Sequence, residues 1–417
     1  KAILSGSQGD TMAKIMKTIV DFGDIFGATH LVPVKARGHL VTSFGLSLLK
    51  PVYRIMDEII QAGLKVEGGF TADPRPNFDG IKCNPLEKLI FKKLVYGLQG
   101  EYEEQLKKVG LIDDNSFTCA CYLEEVGNIP AFGEYLAWAE SSAVVYANSV
   151  LGARCNRNSG MLELMSSIAG KVPYFGLLTE EGRKASWIID VQCKKKPEAQ
   201  ILGSAIGMKV MEDVPYITGL DTFIGNEIND DVIGYLKDMG AATASNGAVG
   251  LYHVDNLTPE AKKEGRKLIK EDAKTYVIDD IELQRIYDSY PVMWKKKDAV
   301  PKLCFIGCPH LTFKQLNDWT ERLFNALSTE GRKKVRIKTV MSSAPDIIDK
   351  FIQTPNYQKL KGMGVYLSGL CPLMYTSNPI SVLKPIMTNS NKLRTYSVAR
   401  YYPDDKIISI LSGKEVN

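Results

Sequence analysis

The chain has 417 residues, 45% of them hydrophobic and 24% charged, and its formal net charge is only +4. That length accommodates two or three domains of ordinary globular composition. The small charge, with no basic aromatic-studded stripe, excludes an evident nucleic-acid partner, and no apolar run of about 18 residues is available to cross a membrane.

Residues 9–27 read as an amphipathic helix with Met12, Ile15, Met16, Ile19 and Phe22 on one face, followed by a short apolar strand at 29–34. A polar loop over 35–45 carries Arg37 and His39. A helix over 51–63 and a strand over 64–70 lead into Thr71-Ala72-Asp73-Pro74-Arg75-Pro76, a loop fixed by its prolines. Residues 84–109 are strongly helical by pattern, with Leu86, Leu89, Ile90, Leu94, Val95 and Leu98 on one apolar face. Residues 118–133 are irregular and hold Cys119 and Cys121. The next stretch, 134–151, reads as one long, nearly all-apolar helix, which argues for burial at the centre of the molecule.

A helix over 161–168 and a strand over 187–191 follow. Gly203, Ala205 and Gly207 suit close helix packing over 199–210, and without GxGxxG or Walker spacing they are not read as a phosphate cradle. Helices are predicted over 231–242 and 258–273, the second opened by Thr258-Pro259-Glu260 and carrying a solvated charged face. From residue 301 strands alternate with helices: helix 312–327, strand 335–339, helix 344–352, strand 364–368. This is a right-handed βαβ pattern that predicts a mostly parallel sheet and an α/β fold class. A helix or loop over 382–390 precedes a predicted strand at 407–410. Tyr290-Pro291 and the lysines at 295–297 read as a linker. The expected regions are 1–133 with Cys119, 134–298 with the apolar central segment, and 299–417 with Cys308 and Cys371.

Eight cysteines without an N-terminal signal-peptide pattern point to a reducing compartment, expected to be the cytoplasm. Two of them end near-copies of one local pattern. KLCFIG (302–307) runs into Cys308-Pro309, and GVYLSG (364–369) runs through Leu370 into Cys371-Pro372. Each sulfur thereby falls where a buried strand ends, at the rim of a sheet where α/β proteins keep their ligands. Cys119, after Phe117-Thr118, brings a third. Three thiolates are one ligand short of a closed four-coordinate site, which leaves the open position of a Lewis-acid centre. Spacing alone leaves three readings standing: metal or cluster ligation, redox chemistry, and simple buried cysteines. The last covers Cys83, Cys193 and Cys304, with Cys121 and Cys155 beside them. No Cys-x-x-Cys knuckle of a structural zinc site occurs.

The polar residues of 140–158 (Glu140, Ser141, Ser142, Asn148, Ser149) must be hydrogen-bonded if their apolar surroundings are buried. Interhelix hydrogen bonding is one reading. The other points Arg154, Asn156 and Arg157 at a ligand, since arginine grips carboxylate or phosphate with two parallel donors.

The stretch 136–173, LAWAESSAVVYANSVLGARCNRNSGMLELMSSIAGKVP, resembles the signature of the aconitase X family. Cys119 in TCACY, Gly307-Cys308-Pro309-His310-Leu311, Cys371-Pro372 and Met387-Thr388-Asn389-Ser390 agree with it in order, over essentially the whole chain. The resemblance implies three α/β domains with mostly parallel sheets around a central iron–sulfur cluster, as in aconitase. It implies that Cys119, Cys308 and Cys371 hold that cluster, 4Fe-4S or 2Fe-2S, as the Lewis acid of a hydro-lyase acting on a small hydroxylated carboxylate. Mevalonate 5-phosphate and cis-3-hydroxy-L-proline are the substrates to expect. His39, Ser149 and Arg154 are the implied catalytic residues. Arg37, Asp73, Arg75, Asn148, Asn156, Arg157, Asn389 and Ser390 are the implied substrate contacts. Lys35 joins Arg37, Arg75 and Arg154 as a candidate for a phosphate, Asp73 or Glu140 would answer an ammonium, and His310 belongs beside the cluster.

The resemblance also implies a partner, a small swivelling subunit thought to contribute a serine base, and no segment like that module is seen here. Cys155 in place of threonine, Asn391 in place of glycine, Arg394-Thr395 in place of Ala-His, and the loop 70–76 depart from the family pattern where a substrate would be selected. The alternative is a non-catalytic iron–sulfur or iron-sensing protein of the wider aconitase superfamily.

Overall fold

The computed structural model of the protein describes residues 1–78, 81, 85–376 and 381–415; Cys83 and the first residue of the predicted helix 84–109 lie outside them. The N-terminal third is built on short strands. β1 (Leu31–Pro33) pairs antiparallel with β4 (Lys171–Pro173), and β2 (Gly38–Leu40) pairs parallel with β3 (Phe70–Ala72). Single parallel bridges widen the β2–β3 ladder, from His39 to Trp138 on one side and from Ala72 to Phe117 on the other. Four extended segments therefore run side by side, and their ends carry Glu140, His39, Asp73 and Cys119 towards one edge.

The central sheet takes β5 (Ala185–Val191), β6 (Pro215–Thr218), β7 (His253–Val254) and β8 (Ile269–Ile278) in the order β7-β6-β5-β8, all parallel. Over it the helices Ala199–Val210 and Asp230–Gly247 cross with almost no space between backbones. A Cβ on Gly203 would lie 2.3 Å from the Met239 carbonyl oxygen, and one on Gly247 would lie 1.9 Å from that of Gly207. Small residues are thus what lets these helices touch. The predicted helix 258–273 forms only over Pro259–Glu264. Gly265–Leu268 tighten into a 3-10 turn, and the rest belongs to β8, an edge strand whose outward side chains stay in solvent, a usual defence of an open edge.

The C-terminal sheet orders β9 (Leu303–Leu311), β10 (Lys338–Ser343), β11 (Tyr366–Ser368), β12 (Ile386–Thr388) and β13 (Arg400–Tyr401) as β11-β10-β9-β12-β13, again all parallel. The helix Phe313–Thr329 opens on a capping box in which Thr312 and Gln315 satisfy each other's backbone N–H. The strand expected at 407–410 is instead part of the helix Asp404–Ser412, where Ile407, Ile410 and Leu411 recur at helical spacing and are buried.

Two further expectations are revised. The segment 134–151 is not one helix. Leu136 and Ala139 donate their N–H groups to the carbonyls of Arg154 and His39, which holds this stretch extended. A helix begins only at Ser141, where the Glu140 carboxylate accepts the Ala143 N–H as an N-cap. It then widens into a π turn over Ala147–Leu151 that stops at Gly152, at φ +69°. The stretch 84–109 breaks into Pro85–Leu89, a π segment Ile90–Val95, and Gln99–Val109. In its first half the buried residues are Glu87, Phe91 and Tyr96, while Leu86, Leu89 and Leu94 face solvent. Among the described residues no helix is long and apolar enough to cross a membrane.

Candidate functional site

The three cysteines singled out by pattern are brought to one place by two sheets. Cys308 sits in a bulge of β9. The register with β10 jumps from Ile306–Met341 to Leu311–Ser343, so the intervening residues of β9 loop out of the ladder. The bulge opens at Gly307, at φ +100°, where a Cβ would lie 2.4 Å from the Ser342 carbonyl oxygen. Cys371 follows β11 and precedes the helix Pro372–Thr376, with Pro372 in its first turn. Cys119 follows the segment bridged to β3, where the Thr118 N–H donates to the Ala72 carbonyl (2.7 Å). The His310 N–H points at the Cys119 sulfur (3.4 Å), and the Thr118 hydroxyl meets His310 Nδ1 (3.0 Å), which locks the two sheets' ends together.

Burial raises all three thiols above the ordinary range. Neighbouring carboxylates push Cys119 further up, and Cys308 adds to the rise of Cys371, which reaches about 12. Cys308 likewise acts on Cys119. Such sulfurs are poor free nucleophiles; a metal, by displacing the proton outright, makes use of them. Among the described residues no three His, Cys, Asp or Glu side chains stand close enough to hold a single metal ion.

Around the sulfurs lies a buried set of charges. Lys392, two residues after the Ser390 that caps the helix Asn391–Tyr396, forms an ion pair with Glu140 and also reaches Ser142 Oγ (3.2 Å). Burial would raise Glu140, but Lys392 and the Ser142 hydroxyl (2.6 Å) outweigh it and hold the carboxyl down at about 2. Burial works against the Lys392 charge as well, and Glu140, Cys308 and Cys119 reverse that and raise it.

His39 is fixed by Thr71, whose hydroxyl meets Nδ1 (2.9 Å), and by the edge of the Trp138 ring. Its Nε2 faces Asp73 Oδ1 across 3.7 Å, and neither atom has a closer partner. Burial lowers the imidazole pKa, but the adjoining Cys121 sulfur and Asp73 carry it up to about 10; burial and Glu140 push Asp73 up to about 6. His310 is lowered to about 3 by burial and stays neutral.

The other residues named from the sequence lie elsewhere. Asn148 donates to the Cys155 and Gly250 carbonyls (2.8 Å each), and its oxygen receives Arg183, whose guanidinium pairs with Glu260. Ser149 accepts the Tyr252 N–H (2.9 Å), and Asn156 bonds to Phe175 and Leu177. Arg154 is engaged by Glu180 and the Leu178 carbonyl, and Arg157 lies against Gly250. The end of the central motif is thus occupied in packing, and only its start, Glu140–Ser142, reaches the sulfurs.

Arg75 pairs with Glu103 over the Phe117 ring, while Lys35 and Arg37 are exposed ahead of β2. Ser390 acts as a helix cap whose hydroxyl also touches Cys308. Asn389 turns away to Asp404 (3.0 Å), into a cavity of about 1000 Å³ lined also by Glu198, Gln200 and Asp238 and by none of the three cysteines. The Cys155 thiol is buried against the Trp138 and Asn156 carbonyls.

Sequence reasoning missed Lys392, the Ser142 contact and Thr71. A lysine just after a serine cap, at a strand end parallel to those carrying Cys308 and Cys371, was the one available signal.

The family model of the aconitase X first domain matches residues 1–181, and that of the aconitase X second domain matches residues 185–288. The chain is 32% identical to a phosphomevalonate dehydratase large subunit of Thermococcus kodakarensis, over 77% of this chain and 75% of that protein. It is 29% identical to a cis-3-hydroxy-L-proline dehydratase of Hypocrea jecorina, over 67% of this chain but 46% of that protein. Among solved structures, the holo form of Thermococcus kodakaraensis aconitase X superposes with a TM-score of 0.79 at 28% identity, covering 98% of this chain and 97% of that one.

Proposed function

The chain belongs to the aconitase X family, and from that premise we propose that it is the large subunit of a dehydratase acting on a small hydroxylated carboxylate. One observation carries the reading: strand ends from two sheets deliver the Cys119 and Cys308 sulfurs to the buried Lys392–Glu140 pair, with Cys308 acting in turn on Cys371. Mevalonate 5-phosphate is the favoured substrate. The relatives matched over roughly three quarters of their own length carry the phosphomevalonate name, whereas the hydroxyproline enzymes are matched over less than half of theirs.

An all-sulfur donor set of buried thiols suits an iron–sulfur cluster, which spreads its thiolate ligands over several irons. Cys119, Cys308 and Cys371 would hold it, as 4Fe-4S or 2Fe-2S. When bound, the cluster supplies a Lewis acid that weakens the carbon–oxygen bond of the leaving hydroxyl. Lys392 is positioned by Glu140 and Ser142 and offers its remaining N–H to a substrate anion. His39, with Nδ1 engaged by Thr71, presents Nε2 towards Asp73; the two hold a proton in place to accompany the departing hydroxyl. The base that removes the carbon-bound proton is assigned to a small swivelling subunit, so the active form is a heteromer. The seven described cysteines are all free, which supports a reducing, cytoplasmic setting.

The test is an anaerobic co-purification with the small subunit, followed by incubation with mevalonate 5-phosphate and, separately, cis-3-hydroxy-L-proline. Nuclear magnetic resonance is expected to show alkene formation from the first, lost in Cys308→Ala. Alkene from neither substrate, or formation undiminished in the variant, refutes the assignment.

A further inference from the structure

We propose that the exposed leucine stripe of the segment 85–95 is the surface on which the small subunit docks, on the outer side of the element that backs Cys371. The inference rests on the two-subunit reading above. In this segment the inward residues are Glu87, Phe91 and Tyr96, and the opposite side is also apolar: Leu86, Leu89 and Leu94 are 61%, 51% and 70% exposed. Leu48, 90% exposed, extends the patch, because its neighbour Ser47 donates to the Leu94 carbonyl. Leu383, 59% exposed, joins it from the other end, because its neighbour Lys384 pairs with Glu87. A helix apolar on two faces is one that expects cover on both, and grouped exposed leucines mark an interaction surface rather than chance exposure.

The occupant follows from what lies on the inner face. Glu87 meets the Tyr375 hydroxyl (3.3 Å), Phe91 packs on the Tyr375 ring at 5.6 Å, and the Tyr96 hydroxyl donates to the Met374 carbonyl (3.1 Å). Tyr375 and Met374 belong to the short helix Pro372–Thr376 that starts directly after Cys371. The stripe is therefore the outer surface of the element that backs one thiol. A partner seated there stands at the edge of the site it completes. Lys93 is exposed beside the leucines, while the segment's one acid, Glu87, is buried. The matching surface is thus an apolar patch with a carboxylate opposite Lys93, which would speed encounter at low salt.

The experiment measures binding of the purified small subunit to the full chain by surface plasmon resonance, with analytical ultracentrifugation of the full chain alone. Leu89→Glu/Leu94→Glu is expected to weaken binding by about tenfold or more. Ile281→Glu, at an exposed position on a different helix, should bind like wild type, and Lys93→Glu should slow association and flatten its salt dependence. Equal binding by Leu89→Glu/Leu94→Glu and wild type overturns the docking surface while leaving the dehydratase reading intact. A wild-type homodimer that this double variant dissociates assigns the stripe to a second copy and also overturns the inference. No binding by wild type overturns the two-subunit reading, and the docking surface with it.

Discussion

At the scale of single residues, the pairing of Lys392 with Glu140 decides both charge and stability in the site. The two are 252 positions apart in the chain and nearly fully buried. Removing one partner from a buried ion pair leaves the other charge without compensation, at a cost of about 3–5 kcal/mol. Lys392→Met is expected to lower stability by about that amount in urea melts, and the double variant Lys392→Met/Glu140→Gln to recover part of it. Equal losses in both would show that packing, rather than the charge pair, matters there.

Glu163 supplies a pH signature. Burial pushes it up to about 8, against Asn158, whose amide donates to it (2.5 Å). Its folded form keeps a proton that the unfolded chain releases near an ordinary carboxylate pKa of about 4.3. The unfolded state binds fewer protons across that interval, so this group's contribution falls as pH rises from about 4.3 to about 8 and is level above it. Glu163→Gln should therefore melt increasingly higher than wild type as pH rises through that window; a difference independent of pH would contradict this. Cys308 and Cys371 were legible in the sequence because glycine and Cys-Pro mark a strand end locally, whereas Cys119 carries no such mark. Lys392 was not, because nothing local announces a partner so far along the chain.

At the scale of elements, the bulge in β9 is what turns Cys308 out of the ladder. Gly307 combines a φ that favours glycine with a contact that a Cβ could not tolerate. Gly307→Ala is expected to cost about 1–3 kcal/mol and to lower bound iron, because the strain is relieved by moving the next residue. Urea melts and iron analysis read the two effects, and unchanged iron with lowered stability would separate the bulge from sulfur placement.

Alternation of strand and helix after residue 301 was readable by period, and small residues at 203 and 207 announced the helix crossing. The segment 134–151 misled because its apolar residues suit a buried helix and a buried strand equally, and the choice was made by the carbonyls of His39 and Arg154. The face of 85–95 misled differently: the leucines that periodicity turns inward are those exposed.

At the scale of the whole molecule, the C-terminal residues Asn391, Arg394 and Thr395 join the C-terminal sheet to the central one. Asn391 takes its N–H to Gln200 (2.8 Å) and its side-chain amide to the Gln200 carbonyl (2.7 Å) and the Tyr290 hydroxyl (3.0 Å). Arg394 stacks 4.1 Å over the Tyr290 ring and bonds to Asn246, which Thr395 also reaches. These residues tie the C-terminal sheet to the helices of the central one. Arg394→Ala is expected to lower stability by about 1–2 kcal/mol while leaving the preference between mevalonate 5-phosphate and cis-3-hydroxy-L-proline unchanged. A switched preference in kcat/KM would return these positions to substrate selection.

The architecture that results joins the ends of two parallel sheets through His310, Thr118 and Cys119, with sulfur from both and Lys392 beside Cys119 and Cys308. The most direct measurement is the iron and acid-labile sulfide content of the anaerobically purified chain, compared with Cys119→Ser, Cys308→Ser and Cys371→Ser. Iron and sulfide in cluster proportion in the wild type, lost or sharply reduced in each variant, is the predicted result. Wild-type protein without sulfide, or iron and sulfide retained in full by any one of the three variants, would contradict the three-cysteine cluster on which the account stands.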